Sequence, residues 1–291
     1  MGSDPTGAFG AIRRRPWPSL LALLILVSTA LLIGLRANIG FFLGDWDLVI
    51  VRSGASDWLL PHNEHIILIP AALYEASLSV FGMTAMPIHL VGVALFETSV
   101  LLLFFWLRTQ IGEPTAVLGC AVVLFLGAST ADLVWPFQVG YFGSFAGGLG
   151  ALLLLRRNTA TDDAKACLLL VVSLLFSSMF LPFVVAAAVQ LLYRNGGRPS
   201  LNSLRKRAWV FLVPIALFVI WWLGWGQLAK SFISVENALK IPLFTLSALG
   251  YSVAALTGLF PLREITMSFV WAIPGLIVAA GFACGLHRRR R

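Results

Sequence analysis

Residues 18–47 read PSLLALLILVSTALLIGLRANIGFFLGDWD. An apolar run comes first, then Arg36, then a short step to Asp45-Trp46-Asp47. As helix, residues 18–35 rise about 27 Å, enough to cross the roughly 30 Å hydrocarbon core of a bilayer. Arg13–Arg15 stand before the run and carboxylates stand after it. Basic residues favour the cytoplasmic side, so the N-terminus is expected inside and Asp45 and Asp47 outside. The run exceeds a usual signal-peptide core and no small-x-small cleavage site follows, so a retained first helix is expected.

The rest of the chain agrees with a membrane solvent. Of its 291 residues 59% are hydrophobic and 12% charged, with a mean hydropathy of +0.89; a soluble domain carries about 25% charge. Further apolar runs occupy 88–107, 115–134, 138–155, 208–226, 241–262 and 267–286. The expected fold is all-α: a polytopic integral membrane protein of eight to ten hydrophobic helices, residues 1–291 forming a single transmembrane domain. An external segment, 37–87, carrying interfacial helices, separates the first two spans. The net charge of +8 does not point to nucleic acid, because Arg13–Arg15, Arg156–Arg157, Arg205–Arg207 and Arg288–Arg291 sit in short clusters beside apolar runs. Cys120, Cys167 and Cys284 are odd in number and lack disulfide or zinc spacing.

The run 166–193 is flanked by basic residues at both ends, Arg156, Arg157 and Lys165 before it and Arg194–Arg207 after it. Ser177, Ser178 and Pro182 lie mid-run, which suits two short helices folded as a hairpin. A single crossing instead repairs the orientation of the C-terminal arginines but exports the 194–207 cluster. Both readings leave 37–87 outside. Gly140, Gly143, Gly147 and Ala151 place small residues on one stripe of the fourth run, a surface for close helix packing. Glu97 lies in the middle of the second span, where an unpaired charge costs at least ~2.5–3.5 kcal/mol, so it is expected to be protonated or paired inside the bundle, with an ion or proton pathway as the functional reading. Trp221, Trp222 and Trp225 read as an aromatic belt.

Titratable side chains are concentrated in the external segment. Five of the thirteen carboxylates fall between Asp45 and Glu75, with Asp57 and Glu64 among them, and so do two of the four histidines, His62 and His65. Leu60-Pro61-His62-Asn63-Glu64-His65 leads into an apolar stretch from Ile66 to Met83. Asn63 is expected to cap a helix there, and Pro70 to restart a second one along the interface. His62, Glu64 and His65 suit substrate contact, polar residues at a helix start, or a metal; His-x-x-His without a third fixed ligand is a weak metal pattern.

With Asp45-Trp46-Asp47 after helix one, Pro61-His62-Asn63-Glu64-His65 before an interfacial helix, and Trp135-Pro136-Phe137-Gln138 at an external turn, residues 15–230 resemble the GT-C superfamily of membrane glycosyltransferases. The nearest likeness is to bacterial relatives of protein mannosyltransferases. Ile66 follows Glu64-His65 where the family carries a basic residue, and no appreciable external domain follows the last run, so the resemblance is to a shortened member. It implies a sugar donor carried on a polyprenyl phosphate, an acceptor hydroxyl, an acidic base in the first external loop, and the outer face of a bacterial cytoplasmic membrane. Asp45 and Asp47 match the position of that base.

The chemistry asks for the same parts: a base for the acceptor proton, a cation for the leaving phosphate, and a wall that admits a lipid. Arg52 leads as the phosphate partner, because arginine forms a bidentate fork, with Lys230, Lys240 and Arg263 behind it. Gln138 and Asp132 stand at the same external turn. No cofactor is implied, the lipid-linked sugar being substrate. The rival classes are a transporter or flippase subunit and a non-catalytic membrane scaffold. A transporter calls for paired inverted repeats and several intramembrane polar groups, where the sequence offers chiefly Glu97.

Overall fold

A computed structural model describes residues 16–52, 54–193, 199–229, 234–257, 273–277 and 280–281. Arg13–Arg15, Arg194, Arg198, Lys230, Arg263, Cys284 and Arg288–Arg291 lie outside the described residues. Among those described, every regular element is helical: α1 (Pro16–Arg36), α2 (Leu68–Phe81), α3 (Met86–Ile111), α4 (Glu113–Leu124), α5 (Thr130–Val134), α6 (Val139–Leu155), α7 (Ala160–Phe176), α8 (Phe180–Leu192), α9 (Leu201–Arg207), α10 (Trp209–Gly224) and α11 (Val235–Thr257). The chain groups into two compact units, one holding residues up to Phe125 with Asp132–Ala229, the other Leu126–Ala131 with the residues from Lys230 on.

Four helices among the described residues are long and apolar enough to cross a membrane: Pro16–Arg36, Met86–Ile111, Pro136–Leu155 and Val235–Leu256. A fifth joins them if α9 and α10, bent by 54°, count as one. The run 115–134 is not one continuous helix. It stops at Leu124, and Gly127–Ser129 turn before α5 begins, so its 12-residue helix rises only about 18 Å. Likewise 166–193 breaks where its serines lie: Ser177 is extended, and Pro182 falls in the first turn of α8 rather than at the break.

In the first unit α6 packs against both α3 and α7. Its small residues explain why. A Cβ on Gly143 would overlap the Phe176 ring, and one on Gly147 would stand 2.8 Å from the Leu169 carbonyl oxygen of α7. The glycine stripe is thus the seat of α7, with the helix backbones in near contact. On the other side, Leu21 and Leu32 of α1 pack with Phe96 and Val100 of α3 and Val117 and Cys120 of α4. Glu97 faces α1, where Thr29 Oγ1 donates to it at 3.5 Å.

Candidate functional site

After α1 the chain is held by Arg36, which is buried and donates to the carbonyls of His89 (2.6 Å) and Leu133. His89 in turn meets the Ile39 carbonyl at 3.0 Å. These contacts fix residues 37–47 over the N-terminal end of α3. Leu43 takes a left-handed backbone, φ 51°, and the turn it makes aims Asp45 inward. Asp45 is 0% exposed, with both oxygens occupied: Phe42 N–H donates to Oδ2 at 2.9 Å and the Tyr74 hydroxyl to Oδ1 at 2.5 Å. Asp45 therefore ties the loop to α2. Burial raises its pKa above the ordinary carboxylate value, opposed by the Phe42 and Tyr74 hydrogen bonds. The Trp135 indole N–H lies on the same side without a hydrogen bond of normal geometry.

Asp47 opens a single π-helical turn, Asp47–Val51, a rare geometry met often at functional sites. Its Oδ2 receives both Arg52 Nε at 3.2 Å and the His62 Nδ1 contact at 2.9 Å. Oδ1 has no hydrogen-bond partner among the described residues, and the side chain is 32% exposed. The His62 hydrogen bond holds the Asp47 pKa below the ordinary value against the opposing effect of burial, with the Arg52 charge adding to it. Asp47 is thus an ionised carboxylate with one oxygen anchored and one free.

His62 arrives by a tight turn, not by a helix start. His62 and His65 exchange both backbone hydrogen bonds (3.0 and 2.9 Å), and Asn63 and Glu64 between them have φ of 46° and 65°. Two left-handed residues in a two-residue connection are the pattern of a primed hairpin turn. Asn63 is therefore not a helix cap, and Pro70 sits inside α2 instead of restarting a second helix. Asparagine accepts this backbone readily, whereas glutamate does so at a cost. The turn directs the His62 ring onto Phe137 (centroids 4.6 Å) and its Nε2 edge toward Gly44, where a Cβ would stand 3.1 Å away. His65 turns instead to Tyr141, edge-on at 5.8 Å, and burial first, then the His62 charge, lowers its pKa.

Arg52, the expected phosphate partner, is held by the protein's own groups. Besides Asp47 it donates to the carbonyls of Asp57 (2.9 Å), Leu60 (2.7 Å) and Pro61 (3.1 Å), and its side chain is 4% exposed. The fork folds the loop 52–61 around itself. Two tryptophans pin the same loop from outside: Trp58 Nε1 donates to Glu75 at 2.7 Å, and Trp221 Nε1 donates to the Leu59 carbonyl at 2.8 Å. Trp221 is 3% exposed, so it is a packing residue and not part of an aromatic belt. Gln138 is buried and donates to Asp132 at 3.0 Å; no bond from it reaches Asp45 or Asp47.

The structure therefore brings together Asp47, His62 and Arg52, with Asp45 directly behind them on Tyr74. The apolar floor beneath is Leu48, Ile67, Ala71, Ile88, Phe137 and Val139. Glu64 occupies the tip of the turn, and among the described residues no three His, Cys, Asp or Glu side chains form a metal-holding group. Sequence reasoning missed Phe137 as the surface under His62, although the Trp135-Pro136-Phe137-Gln138 turn had marked the right stretch. Comparison with protein-family models, with curated proteins and with solved structures gives no match for the chain.

Proposed function

We propose that the chain is an integral membrane glycosyltransferase of GT-C type, moving a sugar from a polyprenyl phosphate to an acceptor hydroxyl at the outer face of a bacterial cytoplasmic membrane. The membrane part of this reading is supported by apolar side chains left on the outside of α1, such as Leu26 at 66% exposure. It is also supported by the spacing of polar ends: from His89, beneath the acidic segment, to Arg108 is roughly 28 Å along α3, close to a bilayer core.

The observation that carries the chemistry is the free Oδ1 of Asp47 on a carboxylate whose other oxygen is fixed by His62 and Arg52. A general base needs an accessible lone pair in a held position, which Asp47 has and Asp45, with both oxygens occupied, lacks. In the proposed step the acceptor O–H proton passes to Asp47 Oδ1. The acceptor oxygen then bonds the anomeric carbon, and the bond from that carbon to the phosphate oxygen breaks with its electrons leaving on the polyprenyl phosphate. The lowered pKa keeps Asp47 ionised across the neutral range and makes it a weaker base than a free carboxylate, so its contribution lies in its held position. Leu43 and Glu64, both with left-handed backbone, lie in the segments that carry Asp47 and His62, and such strain concentrates where a chain positions groups for function.

The test is turnover of a panel of labelled polyprenyl-phosphate hexoses by purified protein. Asp47→Asn is expected to lower transfer by about 10² to 10⁴, the range for loss of a general base. Asp45→Asn should instead lower thermal stability while the folded fraction keeps turnover within a few-fold. Equal turnover in wild type and Asp47→Asn would remove the base, and a larger loss in Asp45→Asn would move the role to that residue.

A further inference from the structure

At the end of α3 away from Asp47, a second feature stands apart from the transferase chemistry. The C-terminal halves of α3 and α6, with Leu169 of α7, line an open cleft of about 750 Å³, within the range that holds small ligands. Its walls are aliphatic and aromatic, chiefly Phe105, Leu153 and Leu169, and its rim carries Arg108, Arg156 and Arg157. Leu169 packs directly on Gly150, where a Cβ would meet Leu169 Cδ1 at 3.0 Å.

The arginines are not used up by the protein. Arg156 donates through one nitrogen to Thr109 Oγ1 at 2.5 Å. Arg108 lies 4.8 Å over the Phe105 ring, with Glu113 at 3.8 Å in an exposed pair. The Arg157 backbone N–H donates to the Leu154 carbonyl at 2.9 Å, while its exposed guanidinium has no hydrogen bond or ion pair among the described residues. Three guanidiniums line the slot, and one carboxylate, Glu113, pairs with one of them.

The geometry points to an anionic phospholipid as the occupant, its phosphate on Arg156 and Arg157 and an acyl chain in the slot between α3 and α6. A phosphate alone would match the rim but leave the apolar walls facing water, and a neutral lipid would match the walls but leave the rim without a counter-charge. Basic pockets between helices at the cytoplasmic end recognise lipid head groups through this combination. The inference goes beyond the transferase reading and shares with it only the membrane.

Native mass spectrometry of the purified protein in a neutral detergent, with equal amounts of phosphatidylglycerol and phosphatidylcholine, reads occupancy directly. Wild type should retain phosphatidylglycerol preferentially. Arg156→Gln with Arg157→Gln should reduce that preference by about 25-fold, each basic group near a lipid surface being worth about a fivefold change. Leu153→Trp, which fills the slot without altering charge, should reduce it as well. Arg205→Gln with Lys206→Gln removes equal charge outside the cavity and should leave it unchanged. Arg157→Gln alone, at an exposed residue, preserves the test if Leu153→Trp fails to fold. Equal binding of the two lipids, equal loss in the Arg205/Lys206 variant, or full binding in folded Leu153→Trp would overturn the site. Displacement of the lipid by millimolar inorganic phosphate would reassign it to free phosphate. None of these outcomes bears on Asp47, so this inference and the transferase reading fail separately.

Discussion

The Asp47 carboxylate and the His62 imidazole, 15 residues apart, meet at 2.9 Å through Oδ2 and Nδ1. The contact depends on two local geometries, the π turn that starts at Asp47 and the left-handed pair Asn63–Glu64. The loop between them is gathered by Arg52. What distinguishes Asp47 from Asp45 is therefore how two donors are distributed, both on Oδ2 of Asp47 but one on each oxygen of Asp45, and not its place in the sequence.

Arg52→Gln is expected to loosen that loop rather than to weaken the contact with a donor phosphate. The buried guanidinium satisfies three carbonyls and Asp47, and hydrogen bonds of charged groups contribute about 1.5–3 kcal/mol. Hydrogen–deuterium exchange of residues 54–61 should rise and the melting temperature should fall. Unchanged exchange with weakened donor binding would restore the phosphate role.

Orientation is open to labelling. Ser56 and Lys165 are both exposed and lie on opposite sides in the proposed topology. With Cys120, Cys167 and Cys284 replaced, Ser56→Cys in intact cells should react with a membrane-impermeant maleimide, and Lys165→Cys only after permeabilisation. The reverse pattern would invert the protein and place Asp47 in the cytoplasm.

Gly147→Ala should destabilise although alanine is the better helix former by about 1 kcal/mol. The new methyl would stand 2.8 Å from the Leu169 carbonyl oxygen, a backbone atom that cannot rotate away, and overpacking costs about 1–3 kcal/mol. Gly119→Ala is the control, its methyl meeting Leu107 Cδ1 at an ordinary 3.7 Å. A lower melting temperature is expected in Gly147→Ala alone; equal shifts in the two variants would dissolve the close-packing account.

Acid should weaken the fold through His65. Burial and the His62 charge lower its pKa in the folded state, so the unfolded chain takes up the proton first. The stability it supplies is complete above the unfolded value of about 6.5 and is lost as pH falls through the folded value. Asp47, whose pKa is also lowered, supplies stability present above about 3.9 and lost only below that. Melting temperature should thus fall from pH 7.5 to 5.5, and His65→Phe should flatten that part of the curve. An equally steep curve in the variant would assign the effect elsewhere.

The sequence by itself determined the helical class, the apolar lengths of α1, α3 and α6, the small-residue stripe that seats α7, and the gathering of carboxylates after α1. These follow from local composition and from periodicities a helix imposes on its own residues. It also marked the broken run 166–193, because serine competes for backbone hydrogen bonds where it occurs. Which carboxylate keeps a free oxygen, how Arg52 is used, and why Trp221 is buried were decided only by tertiary structure. Asp45 loses its free oxygen to Tyr74, 29 positions away, and Trp221 reaches Leu59 across 162. A donor arriving from a distant element leaves no trace in local pattern, and whether a polar group is satisfied or available depends on such arrivals.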